Sequence, residues 1–282
     1  MKQWTNTGLF CMFQGGVNDR PGFCRAINSF HLELFQISDA ALDCHGRNRF
    51  PFNRIFAVVS AGKTLSRLTS HSSGQSVPMK PGAVCFISAG ADLEFEFRKD
   101  THFFAFHFNL NEGAREVFTG SDFLAVREHK ADVIRRLRTL LGRRKPDTAE
   151  LWELKSLLLR EITSFLPRNR PPFSEGSGWD DVFRYIRERA DAATGIADLA
   201  RIRGLSPDRF SRLFSRTFHM TAKKYLETEL ARKAGHMLLY GEDGIKEIAE
   251  QLRFSDEFYF SRFFRKQTGL PPGRFRKCGR SV

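Results

Sequence analysis

The C-terminal third of the chain is written twice, and this duplication constrains its fold more than any other feature. Gly195-Ile-Ala-Asp-Leu-Ala200 matches Gly244-Ile-Lys-Glu-Ile-Ala249, and Phe210-Ser-Arg-Leu-Phe214 matches Phe260-Ser-Arg-Phe-Phe264. The first pair of blocks is offset by 49 residues and the second by 50, so one residue is inserted between them. Internal repeats of this length mark a repeated supersecondary unit. Each copy reads as a helix, a short turn and a second helix. Gly195 and Gly244 are N-cap candidates, with Asp198 and Glu247 beside the positive helix end. Ser206 followed by Pro207 opens the second helix of copy one. Ser255, followed by Asp256 and Glu257, is expected to do the same in copy two. The turn between the helices is only about four residues long, with Gly204 supplying its freedom in copy one.

The second helix of each copy has two faces. Phe210, Leu213, Phe214 and Phe218 form a core stripe, which Phe260, Phe263 and Phe264 repeat. Opposite lie Asp208, Ser211, Arg212 and Ser215 in copy one, and Phe258, Ser261, Arg262 and Arg265 in copy two. A short polar face carrying Arg at a helix N-terminus suits the major groove. Arg bonds guanine bidentately, Ser donates or accepts at base edges, and an exposed Phe meets a thymine methyl. A helical bundle with solvated arginine faces is the competing reading for one such helix. Two copies with cap, turn and Ser-Arg pair at matching places weigh against it. Tyr225, Leu226, Leu230, Ala234, Met237 and Leu238 mark a long connecting helix. A rigid connector would let one chain enter two successive major-groove segments about 34 Å apart.

Charge agrees. The net charge is +13, and from residue 168 onward the chain holds 23 Lys and Arg against 15 Asp and Glu. An excess of this sign points to a polyanionic partner, double-stranded DNA before an anionic membrane. No run of 18 uncharged apolar residues exists, so no membrane span is expected. The first eight residues lack a secretory signature. The five cysteines, at 11, 24, 44, 85 and 278, are widely spaced without a C-x-x-C. Reduced thiols in the cytoplasm are the expectation, with the neighbours Cys44 and His45 structural. No metal and no cofactor are expected.

Residues 1–128 read as strand-rich. The runs 55–59, 84–87, 93–97 and 102–108 are β-branched or aromatic, and several are bounded by Pro-Gly or Ala-Gly turns. Such punctuation suggests a sandwich or barrel. From 131 the period changes: Val133, Leu137, Leu140 and Leu141 mark one helix, and 148–166 a second with a wide apolar stripe. A Pro-, Gly- and Ser-rich linker follows over 167–178, and 179–282 reads as all-helical.

The segment 195–276 resembles the AraC family of bacterial transcription regulators. The resemblance is closest in the second copy, from Ile245-Lys-Glu-Ile-Ala to Gly-Leu-Pro-Pro-Gly-Arg-Phe-Arg276. It implies two helix-turn-helix subdomains joined by a helix, binding near promoters, contact with RNA polymerase and a homodimer. The groove-facing residues would be Asp208, Arg209, Ser211, Arg212, Ser215 and Arg216 in the first subdomain. In the second they would be Glu257, Phe258, Tyr259, Ser261, Arg262 and Arg265. Three positions depart from the family: His219 and Arg253 stand where Gly is usual, and Leu230 where Arg is frequent. The two glycine replacements are expected to meet left-handed backbone or to add phosphate contacts.

More weakly, 53–110 resembles the family's half-cupin sensor, through Met79-Lys-Pro-Gly-Ala-Val-Cys-Phe-Ile-Ser-Ala-Gly90. The expected fold is therefore α+β and multidomain: a cupin-like N-terminal β-barrel over 1–128, a helical hairpin over 129–166, the linker, and a DNA-binding domain over 179–282. The barrel would hold a small-molecule effector, such as a sugar, without the His-x-His and Glu set of cupin enzymes. Phe104 and Phe106 share one strand face, Phe103 and His107 the other. Arg54, Phe104 and Phe106 are the candidate pocket residues, with His45 and Arg47 placed in a loop before the Arg54 strand. Trp152 and Leu158 are candidate dimer anchors. The alternative function is a cupin-type barrel enzyme with an accessory helical domain. Its nucleophile candidates, Cys24, Cys44 and Cys85, have no paired base in the sequence. A nonspecific basic architectural protein is a third reading, disfavoured by the two mixed-charge faces.

Overall fold

A strand that is apolar on both faces has to be covered on both, and His102–Glu112 (β8) is such a strand. The computed structural model describes residues 30–118, 122–143, 145–166 and 178–280. In it, β8 lies within a six-stranded sheet, between Phe30–Ala41 (β1) and Asn53–Ser60 (β3). Val84–Ile87 (β6) and Leu124–Arg127 (β10) continue the sheet, and the short Arg115–Glu116 (β9) also pairs with β8. A second sheet has the order Cys44–Asn48 (β2), Leu93–Phe97 (β7), Arg67–Ser70 (β4) and Ser76–Pro78 (β5).

Register decides which side chains meet. Arg54 stands opposite His107, Phe56 opposite Ala105 and Val58 opposite Phe103. These residues face the second sheet, where Leu68, Leu93 and Phe97 complete one core. The alternate residues, Ile55, Ala57, Phe104, Phe106 and Phe108, form the other core. Two helices cover that core, Ala131–Leu141 (α1) and Thr148–Thr163 (α2), through Val133, Leu137, Leu154 and Leu158. The entry to α2 is fixed by a capping box, in which Asp147 accepts from the Glu150 backbone and Glu150 from the Asp147 backbone.

Four expectations change here. The sheets do not close into a barrel: β1 and β10 end one sheet, β2 and β5 the other. Phe104 and Phe106 face the helices, whereas Phe103 and His107 face the space between the sheets. Leu158, 2% exposed, is packed inside its own core and is not available as a dimer anchor, while Trp152 is 63% exposed. His45 and Arg47 are in strand β2, paired with Glu96 and Glu94, and not in a loop. The linker expected over 167–178 lies outside the described residues apart from Gly178.

His107 is buried, and this makes acid stability a test of the register. Burial, then the neighbouring Arg54 charge, lowers its pKa to about 3. The unfolded chain therefore takes up this proton first. The stability is intact above the ordinary histidine pKa of about 6.5 and is lost as pH falls toward the folded value. Between pH 6.5 and 5 this one group costs about 2 kcal/mol. In urea titrations across that range, His107→Gln is expected to flatten the pH slope by this amount; an unchanged slope contradicts the burial.

The C-terminal helices are Asp180–Arg189 (α3), Ile196–Ile202 (α4), Pro207–Phe218 (α5), Ala222–Tyr240 (α6), Ile245–Gln251 (α7), Glu257–Thr268 (α8) and Pro272–Arg280 (α9). They enclose two cores, and α6 serves both. Its first half joins Trp179, Phe183, Phe210, Phe214 and Phe218. Its second half joins Ile248, Phe260, Phe264 and Phe275, together with Phe50 and Phe52 from the segment between β2 and β3. The Phe50 and Phe275 rings lie 4.7 Å apart, and Arg49 N donates to Thr268 O at 2.8 Å. Gly235 of α6 permits this approach, since a Cβ there would stand 2.9 Å from Pro51 Cγ. Among the described residues no helix is long and apolar enough to cross a membrane.

Candidate nucleic-acid interface

Each copy of the repeat folds as a helix, a tight turn and a second, exposed helix, and the reasons are local. Gly195 and Gly244 are the N-caps of α4 and α7. At the first, the Asp198 carboxylate accepts the Gly195 N–H at 2.9 Å, which with Arg201 holds its pKa below the usual range. Ser206 caps α5, its Oγ accepting from Arg209 N at 3.4 Å, with Pro207 at the first helical position. In copy two the cap is Asp256, whose Oδ1 accepts from Tyr259 N at 2.6 Å. The expected cap, Ser255, lies one residue earlier, and its hydroxyl donates to Asp256 Oδ2 at 3.1 Å. This locates the inserted residue: the turn before α8 is one residue longer than the turn before α5.

The two departures at glycine positions are real left-handed residues. Arg253 has φ 56°, matching Gly204 at φ 60°. His219, the C-cap of α5, has φ 55°, matching Gly269 at φ 81° after α8. A side chain in this region costs roughly 1–2 kcal/mol, part of which glycine gives back as unfolded-state entropy. His219→Gly is expected to stabilise the protein by about 0.5–1 kcal/mol. Its melting temperature should rise by roughly 1–4 °C. Arg253→Gly should gain less, because Arg253 also pairs with Asp191 at 3.4 Å. A fall in melting temperature for His219→Gly would mean that the imidazole makes a stabilising contact.

The core stripes are buried at Phe210, Phe214, Phe260 and Phe264, all 0% exposed, while Leu213 and Phe263 are half-buried at their edges. The opposite faces are open. Asp208, Arg209, Arg212 and Arg216 are exposed on α5, with Ser211 and Ser215 half-buried at its flanks. On α8, Glu257, Phe258, Tyr259, Arg262 and Arg265 are exposed and Ser261 is half-buried. Phe258 is 76% exposed, the most open of the large apolar side chains described. None of these arginines turns into the core. Arg262 lies 5.9 Å from the centre of the Tyr259 ring, within cation–π range.

The structure adds basic residues that the repeat does not contain. Arg47 and Arg49 line a cleft shared with Arg262, Arg265 and Lys266 of α8. Both bond Asp92, at 2.7 and 2.6 Å; Arg47 and Arg49 hold the Asp92 carboxyl well below the usual carboxylate range. Arg47-Asn-Arg49 carries no sequence signal for this, since only the fold brings β2 beside α8. Among the described residues no group of His, Cys, Asp and Glu is arranged to hold a metal ion.

A family model described as a helix-turn-helix domain matches residues 199–278. Over 124 residues the chain is 32% identical to the arabinose operon regulatory protein of Salmonella typhimurium, a stretch covering 44% of this chain and 43% of that protein. The arabinose operon regulatory protein of Escherichia coli is 31% identical over 124 residues, covering 44% and 42%. The match thus spans less than half the length of these relatives. Among solved structures, ToxT from Vibrio cholerae O395 is similar with a TM-score of 0.61 at 12% identity, covering 90% of this chain and 100% of that one. ToxT with an unsaturated fatty acid bound is similar with a TM-score of 0.58 at 11% identity, covering 88% and 94%. At such identity the likeness is one of fold, a sheet-rich N-terminal part followed by a helical C-terminal part.

Proposed function

We propose that this chain is a sequence-specific, double-stranded-DNA-binding transcription regulator of the AraC family, controlled by a small-molecule effector, a reading that starts from the likeness of its C-terminal helix-turn-helix domain to that family. The observation that carries this reading is the pair of open helix faces, each backed by a phenylalanine core and each bearing a Ser-Arg pair: Ser211 and Arg212 on α5, Ser261 and Arg262 on α8. In the proposal, residues 179–282 are the DNA-binding domain, 167–178 the linker, 129–166 a helical segment and 1–128 the effector domain. Asp208, Arg209 and Arg216 flank the first reading face; Glu257, Phe258, Tyr259 and Arg265 flank the second. Arg and Ser supply base-edge contacts, and neighbouring arginines supply phosphate contacts that fix register.

Effector binding would act through differential affinity for two arrangements of the domains. Two features support this: the cores shared between Phe50, Phe52 and the second subdomain, and the fold likeness to ToxT, one of whose structures holds an unsaturated fatty acid. A homodimer, with Trp152 on the exposed side of α2, and contact with RNA polymerase complete the proposal. The enzyme alternative is not favoured: of its two described thiols, Cys44 is exposed, and Cys85 is buried with its pKa pushed up to about 12 by burial.

Selection of bound duplexes from a random pool tests the reading. A recovered motif of two segments about one helical turn apart is expected. Recovery of no motif, with binding that only falls steeply with salt, would favour a nonspecific architectural role instead.

A further inference from the structure

A cavity of about 360 Å³ lies between the two sheets of the N-terminal part, with Lys277 of α9 among its lining residues. Most of its wall is apolar, including Phe56, Leu93, Phe95, Phe97 and Phe103. Into this wall come two polar side chains that face each other across β3 and β8, Arg54 and His107. Arg54 is only 3% exposed. Its Nη1 donates to Asn48 Oδ1 at 3.2 Å, and its guanidinium carbon lies 4.8 Å from the centre of the Phe50 ring. Nε and Nη2 of Arg54, and Nδ1 of His107, have no hydrogen-bond partner among the described residues. The carboxylate in the lining, Asp43, is exposed and makes no ion pair with Arg54 among the described residues.

A cation taken out of water is unfavourable unless it is paired and its donors are satisfied. Nε and Nη2 form the edge of a guanidinium that grips a carboxylate with two parallel hydrogen bonds. The donors left unsatisfied on Arg54 are therefore a matched pair pointing to one kind of acceptor. Desolvation lowers Arg54 to about 9, so it remains a cation at neutral pH. The aromatic walls suit an apolar body and offer few partners for the hydroxyls of a sugar.

We propose that this cavity binds an organic anion, a carboxylate carried on an apolar chain or ring, with the carboxylate held by Nε and Nη2 of Arg54. The proposal rests on the reading of residues 1–128 as an effector domain and names the chemical class of the effector. His107, neutral there, offers a further donor when its proton sits on Nδ1. Lys277 brings a second positive charge from the DNA-binding domain. Phe50 touches both ends of the relay: it stacks under Arg54 and against Phe275 in the core of the second helix-turn-helix. Filling the cavity therefore bears on the packing of α9 and α8.

The test is calorimetric titration of the full-length protein, without DNA, using decanoate and 4-phenylbutanoate. The corresponding alcohols, decan-1-ol and 4-phenylbutan-1-ol, serve as uncharged controls. At least one acid is expected to bind at least tenfold more tightly than its alcohol. Arg54→Met, which keeps the apolar stem and removes the charge, is expected to abolish that preference while melting at the same temperature or higher. Leu42→Trp, which fills the cavity at a half-buried lining position, should weaken acid and alcohol alike with Arg54 intact. The proposal is overturned if neither acid binds, if acid and alcohol bind equally, if L-arabinose binds in their place, if the preference for acid survives Arg54→Met, or if acid binding is unchanged in Leu42→Trp. Because no DNA is present, failure here leaves the DNA reading standing. Failure of the duplex selection equally leaves the titration unaffected.

Discussion

Phe214→Ala is expected to cost about 3–5 kcal/mol and to bring the first helix-turn-helix to the edge of unfolding while leaving the second intact. Phe214 is the hub of its core. Its ring lies 5.4 Å from Trp179, 5.8 Å from Phe210, 4.7 Å from Phe218 and 5.7 Å from Tyr225. Removing it takes away transfer energy and also leaves a void that four stiff rings cannot close. Since a folded protein holds a margin of only about 5–15 kcal/mol, one subdomain should fall close to its threshold. Trp179, buried against Phe214, reports the event by fluorescence in a urea titration. Phe214→Leu, which keeps more of the volume, should cost markedly less. A loss below about 1 kcal/mol for Phe214→Ala would mean that the aromatic cluster is not the support of α5.

The second large effect falls on DNA and not on folding. Arg212→Ala and Arg262→Ala are each expected to weaken binding to the selected duplex by about 1–3 kcal/mol, and to relax preference at one or two base pairs. Both side chains are exposed, so neither substitution should move the melting temperature appreciably. The two arginines lie on separate helices with separate cores, so the losses should add to about 2–6 kcal/mol in the double variant. The measurement is a gel-shift or anisotropy titration at fixed salt on selected and scrambled duplexes. Equal loss on both duplexes would reassign these arginines to the phosphate backbone.

The repeat made the C-terminal half legible because its signals are local. Caps, a proline at the first helical turn and a 3.6-residue apolar stripe lie within a dozen residues of one another. The misplaced cap at Ser255 shows the limit: Ser255 and Asp256 are both good cap residues, and only backbone geometry chooses. The sheets were half legible. Runs such as Val84–Ile87 and Leu93–Phe97 announce themselves by composition or alternation. Cys44–Asn48 does not, being Cys, His, Gly, Arg and Asn in sequence and a strand only because β7 pairs with it. Periodicity separated Phe104 and Phe106 from Phe103 and His107, but it cannot say which set meets helices and which a cavity. Arg54 stands out in the sequence only for its place before a strand; its burial comes from strands β8 and β6 on either side of it. Arg47 and Arg49 reach α8 only through tertiary contact, which no window of sequence contains.

The uneven use of α6 has a consequence for how the molecule comes apart. Its second half is fused to Phe50 and Phe52, whereas among the described residues the first subdomain meets the N-terminal part through Ala114, beside its core, and Arg115, over the Phe218 ring at 4.9 Å. Amide protons in α5 should accordingly exchange through a smaller, earlier opening than those in α8, whose release requires the sheets to give way as well. On the proposed reading, one arm would thus be loose and quick to sample duplex, and the other would keep time with the domain proposed to bind an effector.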